Sequence, residues 1–156
     1  MGADLVGPGI SQLWQLGTLQ QSSLGSAFLL VADVVNGALE SRYSALREPG
    51  AAGGYQVTAG KTLYLTRVIH ACSVASALWL IGSGTADAGD SQVAAPAGAI
   101  SEDSRADGIS NPLVGLTALD HHEHDILVGI ATALFPFIRL MTASCTFRGL
   151  FFAVEL

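Results

Sequence analysis

The chain has 156 residues, of which 50% are hydrophobic and only 13% charged, with a formal net charge of −6. That length suits a single domain able to bury a core without disulfide or metal staples, and a charged share near half the usual ~25% leaves much of the surface apolar or neutral, as at a partner's footprint. The seven bases (Arg42, Arg47, Lys61, Arg67, Arg105, Arg139 and Arg148) are scattered singly, which excludes the clustered basic stripe of a nucleic-acid binder.

The N-terminal "MGADLVGPGISQ" carries an acid and no base, so no secretory signal is expected. The most apolar window, "GSAFLLVADVV" from Gly25 to Val35, is short and contains Asp33; a spanning helix needs about 18 uninterrupted apolar residues, so no membrane segment is expected. Residues 1–54 mix turn residues with apolar runs, and Pro8 with its neighbouring glycines suits an extended arm. Leu39, Tyr43 and Leu46 recur at helical spacing and predict a short helix. Glu48 to Gly54, rich in Gly, Ala and Pro, reads as a linker or long turn. The expected division is therefore an N-terminal arm or docking extension over 1–54 and a β domain over 55–156.

From Tyr55 the pattern becomes strand and turn. In "KTLYLTRVIHAC" Leu63, Leu65 and Ile69 alternate with Tyr64, Thr66, Val68 and His70 in a period of two, and the β-branched and aromatic residues fit a pleated surface. "SALWLIGSG" sets Leu78 and Leu80 against Trp79 and Ile81; with both sides apolar, it predicts a strand covered on both faces, the second by another subunit. Residues 82–112 are rich in Gly, Ala, Ser and Asp, and a structureless loop of that length is unusual; a short strand is expected at Ser91 to Ala95, with the acidic "SEDSRAD" exposed. Short runs separated by turns then resume to Leu156. The whole predicts an all-β, antiparallel β-sandwich, with the last strand paired inside a sheet because Phe147, Phe151 and Phe152 need cover.

Three stretches of this β region, "YQVTAGKTLYLTRVIHA" (Tyr55 to Ala71), "LIGSGTADAGDS" (Leu80 to Ser91) and "PFIRLMTASCTFRGLFFAVEL" (Pro136 to Leu156), together resemble small β-sandwich virion proteins of tailed bacteriophages. The family named by this resemblance is the trimeric jelly-roll cement, or decoration, proteins of phage capsids. It covers about two thirds of the chain; residues 1–54 match nothing in it. The resemblance implies a jelly-roll-like sandwich, a homotrimer seated on the outer capsid surface where capsomers meet, the major capsid protein as partner, a virion location after synthesis in the host cytoplasm, and no catalysis or cofactor.

"DHHEHD", Asp120 to Asp125, holds three of the four histidines. On a strand His122 and His124 share one face with Asp120, while His121, Glu123 and Asp125 share the other. A His-x-His step is half of what cupin enzymes use to hold a metal. Val128 and Gly129 stand where that pattern wants a glutamate, and His70 lies on another strand, so His122 and His124 are only low-probability metal candidates and a solvated or intersubunit polar role is expected. Clustered imidazoles also offer a pH-sensitive contact. Cys72 and Cys145 read as buried free thiols. "GSGTADAG" lacks the Lys-Ser/Thr end of a phosphate loop and reads as a turn; "SEDSRAD" lacks the spacing and closing glutamate of a calcium loop. Arg67, Arg139 and Arg148 sit in apolar runs and need an internal partner or an interface. Trp14, Leu29, Trp79, Phe135, Phe137 and Arg139 are the candidates for an apolar seam between subunits. The function expected is a non-enzymatic capsid cement protein. The alternatives are a carbohydrate- or receptor-binding head of a tail appendage and, third, a cupin-like metal enzyme.

Overall fold

The computed structural model describes residues 27–37, 40–75, 77–101 and 121–156. It contains eight strands: β1 (Ala27–Asn36), β2 (Arg42–Ala45), β3 (Leu63–Cys72), β4 (Trp79–Gly84), β5 (Ile100–Ser101), β6 (His121–Ile130), β7 (Phe135–Leu140) and β8 (Cys145–Glu155). All pairings are antiparallel. One sheet, A, has the order β1-β8-β3-β6 and the other, B, the order β2-β7-β4-β5. These interleaved orders, in which the chain crosses repeatedly between sheets, are those of a jelly roll built from two Greek keys. The protein is thus an all-β sandwich, with no helix among the described residues.

Between the sheets lies one core. Leu30, Leu63, Leu65, Val68, Phe147 and Phe151 come from sheet A, and Trp79, Ile81, Ile138 and Leu140 from sheet B. The terminal strand β8 sits between β1 and β3, paired along both edges, which supplies the cover that its phenylalanines require. Gly149 makes room for two of them: a Cβ there would lie 2.7 Å from the Phe147 ring and 2.8 Å from the Phe151 ring.

The structure departs from the sequence pattern at three places, and at a fourth it selects the turn from the two readings offered. β1 and β2 are strands of the sandwich, β1 pairing with β8 from Ala27↔Val154 to Asn36↔Cys145, so residue 54 is not the edge of the β domain; residues 1–26, including Trp14, lie outside the described residues. The helical spacing around Tyr43 is overridden, because Tyr43 and Ala45 instead pair with Arg139 and Phe137 of β7. Glu48 to Gly54 is a turn anchored at both ends, through the Val31↔Arg47 bridge and a 2.7 Å bond from the Tyr55 N–H to the Leu46 carbonyl. Between Leu65 and Arg67 the register shifts: β3 carries one residue more than β8, and β6, with Ile126 and Leu127 between Asp125 and Val128, one more than β3. Past it the faces exchange, so Val68, His70 and Cys72 point inward with Leu63 and Leu65, and Ile69 points outward.

Residues 85–99 are largely exposed but tied to the sandwich. They leave β4, reach the free edge of β2 at the Tyr43↔Gln92 bridge, and return to pair with β4 as β5. The strand expected at Ser91 to Ala95 is this single bridge. Asp87 pins the crossing, its carboxylate accepting the Gly54 N–H at 2.8 Å and the Gly89 N–H at 2.9 Å. Residues 102–120, which hold most of "SEDSRAD", lie outside the described residues.

Candidate functional site

The outward side chains of sheet A form rows across its strands. One row runs Leu29, Phe152, Arg67, Asp125; the next Val31, Leu150, Ile69, Glu123; the next Asp33, Arg148, Ala71, His121. A further row sets Val154 beside Tyr64. The face is therefore apolar over β1, β8 and the middle of β3, with charge confined to two places. Arg67 reaches Glu123 at 2.8 Å and Asp125 at 3.2 Å, with its guanidinium 6.0 Å from the Phe152 ring, and Arg148 lies 3.4 Å from Asp33. Each base thus has its acid on the same face. Leu29 is 38% exposed, Val35 56% and Leu127, beside Arg67, 74%. A shallow groove of about 620 Å³ runs over the face, floored by Val31, Ile69, Ala71 and Leu150 and walled by Gly50 and Ala51.

On sheet B the chain itself covers the part of the outward face around Phe137, while Ile100 at the β5 edge is 59% exposed. Phe137, 2% exposed, packs with Ala45 and Ala88, and Tyr43 lies against them. The Phe137 ring lies across Gly82, where any Cβ would collide with it. Arg139 sits over the Tyr43 ring at 5.6 Å. Leu80, with Ala95, Ala99 and Ile100 of the following segment, lines a small pocket of about 200 Å³ on this face.

These positions sort the seam candidates. Leu29 is on the open face. Phe135 and Arg139 are half-buried. Trp79 is fully buried in the central core and Phe137 lies under the chain's own loop; both serve internal packing, a correction that follows from their directions on β4 and β7. Arg67, Arg139 and Arg148 all find internal partners.

Behind sheet A the histidines meet. His70 and His122 are register partners, and His124 is the next inward residue of β6. The His70 ring lies 5.2 Å from His124 and 5.8 Å from His122, with Trp79 at 5.0 Å and Phe147 at 5.7 Å. Sequence reasoning set His70 apart because it lies on a different strand; that strand is the neighbour, and the bulge turns His70 inward. Its signal was the shared apolar context of β3 and β6, which does not fix register. Burial, then the neighbouring His124 and His122, push His70 down to about 4, and burial followed by His122 lowers His124. The Nε2 atoms of all three rings are buried without a hydrogen-bond partner. Among the described residues no three His, Cys, Asp or Glu side chains are arranged to hold a metal ion.

Two further polar sites are structural. Cys72 and Cys145 are buried free thiols; a hydrogen bond to Cys145 and burial push the Cys72 thiol up, and the same bond lowers Cys145. At the far end of β3, Glu155 accepts the Thr58 N–H at 2.7 Å and the Tyr55 hydroxyl at 2.8 Å. Burial alone would raise Glu155, but these bonds and the charge of Lys61 hold it below the ordinary carboxylate value; burial and the bond to Glu155 push Tyr55 up to about 12. Neither site opens onto the groove.

In comparisons with known proteins, no family model, no curated protein and no solved structure matches this chain. Among the described residues the arrangement is a jelly-roll sandwich with Phe137 of one outer face packed under the chain's own loop and the other outer face apolar and partly exposed.

Proposed function

We propose that the chain is a non-enzymatic structural virion protein, a capsid cement that docks on the outer surface of a phage shell and holds subunits together by contact. The observation that carries this reading is the open face of sheet A. Four strands about 4.8 Å apart and ten residues long at about 3.3 Å each span roughly 600 Å², close to the ~800 Å² that each partner contributes to a standard interface. Such a face in water is a partner's footprint. Its ions are already paired within the chain, so covering them strands no lone charge, and attachment depends little on salt.

In this reading the partners are the major capsid protein and further copies of the chain, assembled as a homotrimer whose repeated modest contacts add up to firm attachment. The groove on the open face is lined by no Trp, Tyr or Phe, which offers little support to a carbohydrate-binding head. The test is a density map of particles assembled with and without the chain. Density for a jelly roll at capsomer junctions, present only with the chain, is the expected result. Particles whose surface and strength are the same in both preparations would overturn the proposal.

A further inference from the structure

The three imidazoles point inward from β3 and β6, and the placement of two of them on the outermost strand has a consequence of its own. We propose that His70, His122 and His124 form a proton-operated latch: as neutral rings they hold the first half of β6, His121 to Asp125, against β3, and proton uptake releases that half-strand from the sheet.

Geometry carries the proposal. Among the described residues β6 is the edge strand of sheet A, with β3 as its one sheet partner. The register shift at Leu65/Arg67 divides their pairing in two: Leu63 to Leu65 hold Val128 to Ile130, and Arg67 to Ala71 hold His121 to Asp125. The first segment is anchored by Val128 and Ile130 in the core. The second inserts only His122 and His124, and the bulge between them is a ready hinge. β3 itself cannot follow, since β8 pairs with it from Leu63↔Glu155 to Cys72↔Phe147.

The groups facing the rings supply no compensating charge. His70 meets Trp79 from β4, Phe147 from β8, and the Cys72 sulfur at 3.8 Å from its own strand, with His122 and His124 from β6. Cys145 lies beyond Cys72. Glu123 and Asp125 point to the opposite face, where Arg67 holds them. A proton on any ring therefore creates a cation that faces no carboxylate among the described residues packed against it, and a second proton adds repulsion at 5–6 Å. Moving β6 outward hydrates both of its histidines and relieves this. The outer ion pairs of Arg67 are about half-exposed or more and hold the half-strand only weakly. The depressed affinity of His70 and His124 for protons agrees with the same picture.

The test is amide hydrogen exchange of the full chain from pH 7.5 to 4.5, corrected for the intrinsic rate. Amides of His121 to Asp125 are expected to lose protection at least tenfold as pH falls below about 6, while Phe147 to Ala153 of β8 stay protected. In His122→Gln/His124→Gln the step is expected to vanish. Should that variant fail to fold, histidine ring NMR titration of the unaltered chain provides the second reading, with His122 and His124 titrating together with the loss of protection. The proposal is overturned by protection of β6 that is constant down to pH 4.5, by simultaneous loss in β6 and β8, by a step that persists in the double variant, or by a stoichiometric metal ion in the purified protein.

Discussion

The two outer faces of this sandwich are built alike and finished differently. Both carry apolar side chains in cross-strand rows, Leu29, Phe152 and Val31, Leu150, Ile69 on sheet A, and on sheet B the Ala45–Phe137 pair, with Leu80 in the next row opposite Arg139. On sheet B residues 85–99 fold back over the surface and leave Phe137 2% exposed. On sheet A the described chain supplies only the turn at Arg47 to Ala51 along one side of the groove. One protein thus provides its own control: an apolar sheet face satisfied internally beside one left open. In the proposed reading the difference marks the partner's footprint, and the low share of charged residues fits a face that another molecule covers.

Phenylalanine truncation should separate the faces most strongly. Phe137→Ala empties a closed site and should cost about 3 kcal/mol in urea unfolding of dilute protein. Phe152→Ala, on the open face, should cost under about 1 kcal/mol there, and should instead weaken association. Equal losses of stability would mean that both faces are closed.

Acid should act on sheet A through its interior. Because the His70 pKa in the fold, about 4, lies below its ordinary 6.5, the unfolded chain binds the proton more tightly. This contribution to stability is complete above about pH 6.5 and is lost as pH falls toward 4, on the order of 3 kcal/mol in all. Unfolding free energies measured across that window should therefore rise with pH, and His70→Phe, which keeps an aromatic ring in the cluster, should flatten the rise. Glu155 behaves with the same sign at lower pH, its lowered pKa giving stability that is present above the ordinary carboxylate value and disappears as pH falls through the folded one.

Two outward glycines sharpen the comparison at smaller scale. Gly82→Ala drives a methyl group into the Phe137 ring and should cost about 1–3 kcal/mol. Gly129→Ala, on the open face, meets the Tyr64 ring at 3.4 Å and the Thr62 methyl at 3.9 Å and should change stability by less than about 0.5 kcal/mol. Thermal melts of the two variants check both. Smallest of all is Arg148→Ala. Its pair with Asp33 is solvated, so the loss should stay within about 0.5 kcal/mol.

The alternation of β3, the apolar runs of β4 and β8 and the turn signals between them were enough to read the fold class and to pair the last strand inside a sheet. What escaped was whatever depends on a single residue of register or on a partner far along the chain. One bulge residue between Leu65 and Arg67 reversed the facing of Val68, Ile69 and His70, and with it the membership of the imidazole cluster. Helical spacing at Leu39, Tyr43 and Leu46 yielded to the β7 pairing of Tyr43 and Ala45, a tertiary effect invisible in a short window. That Phe137 would be covered by Ala88 was not legible either, because Gly, Ala and Ser carry little hydrophobic signal of their own. The open face was legible only as a deficit of charge, without an address.

Sedimentation of the full chain tests that address most directly, comparing the natural sequence with Leu127→Asp and Leu150→Asp at micromolar concentration. The account predicts that the natural chain sediments at a multiple of 16.1 kDa and that both variants, with their fold intact by circular dichroism, sediment as monomers and fail to bind shells. A natural chain that is monomeric, with no affinity for shells and an open face indifferent to added charge, would contradict it.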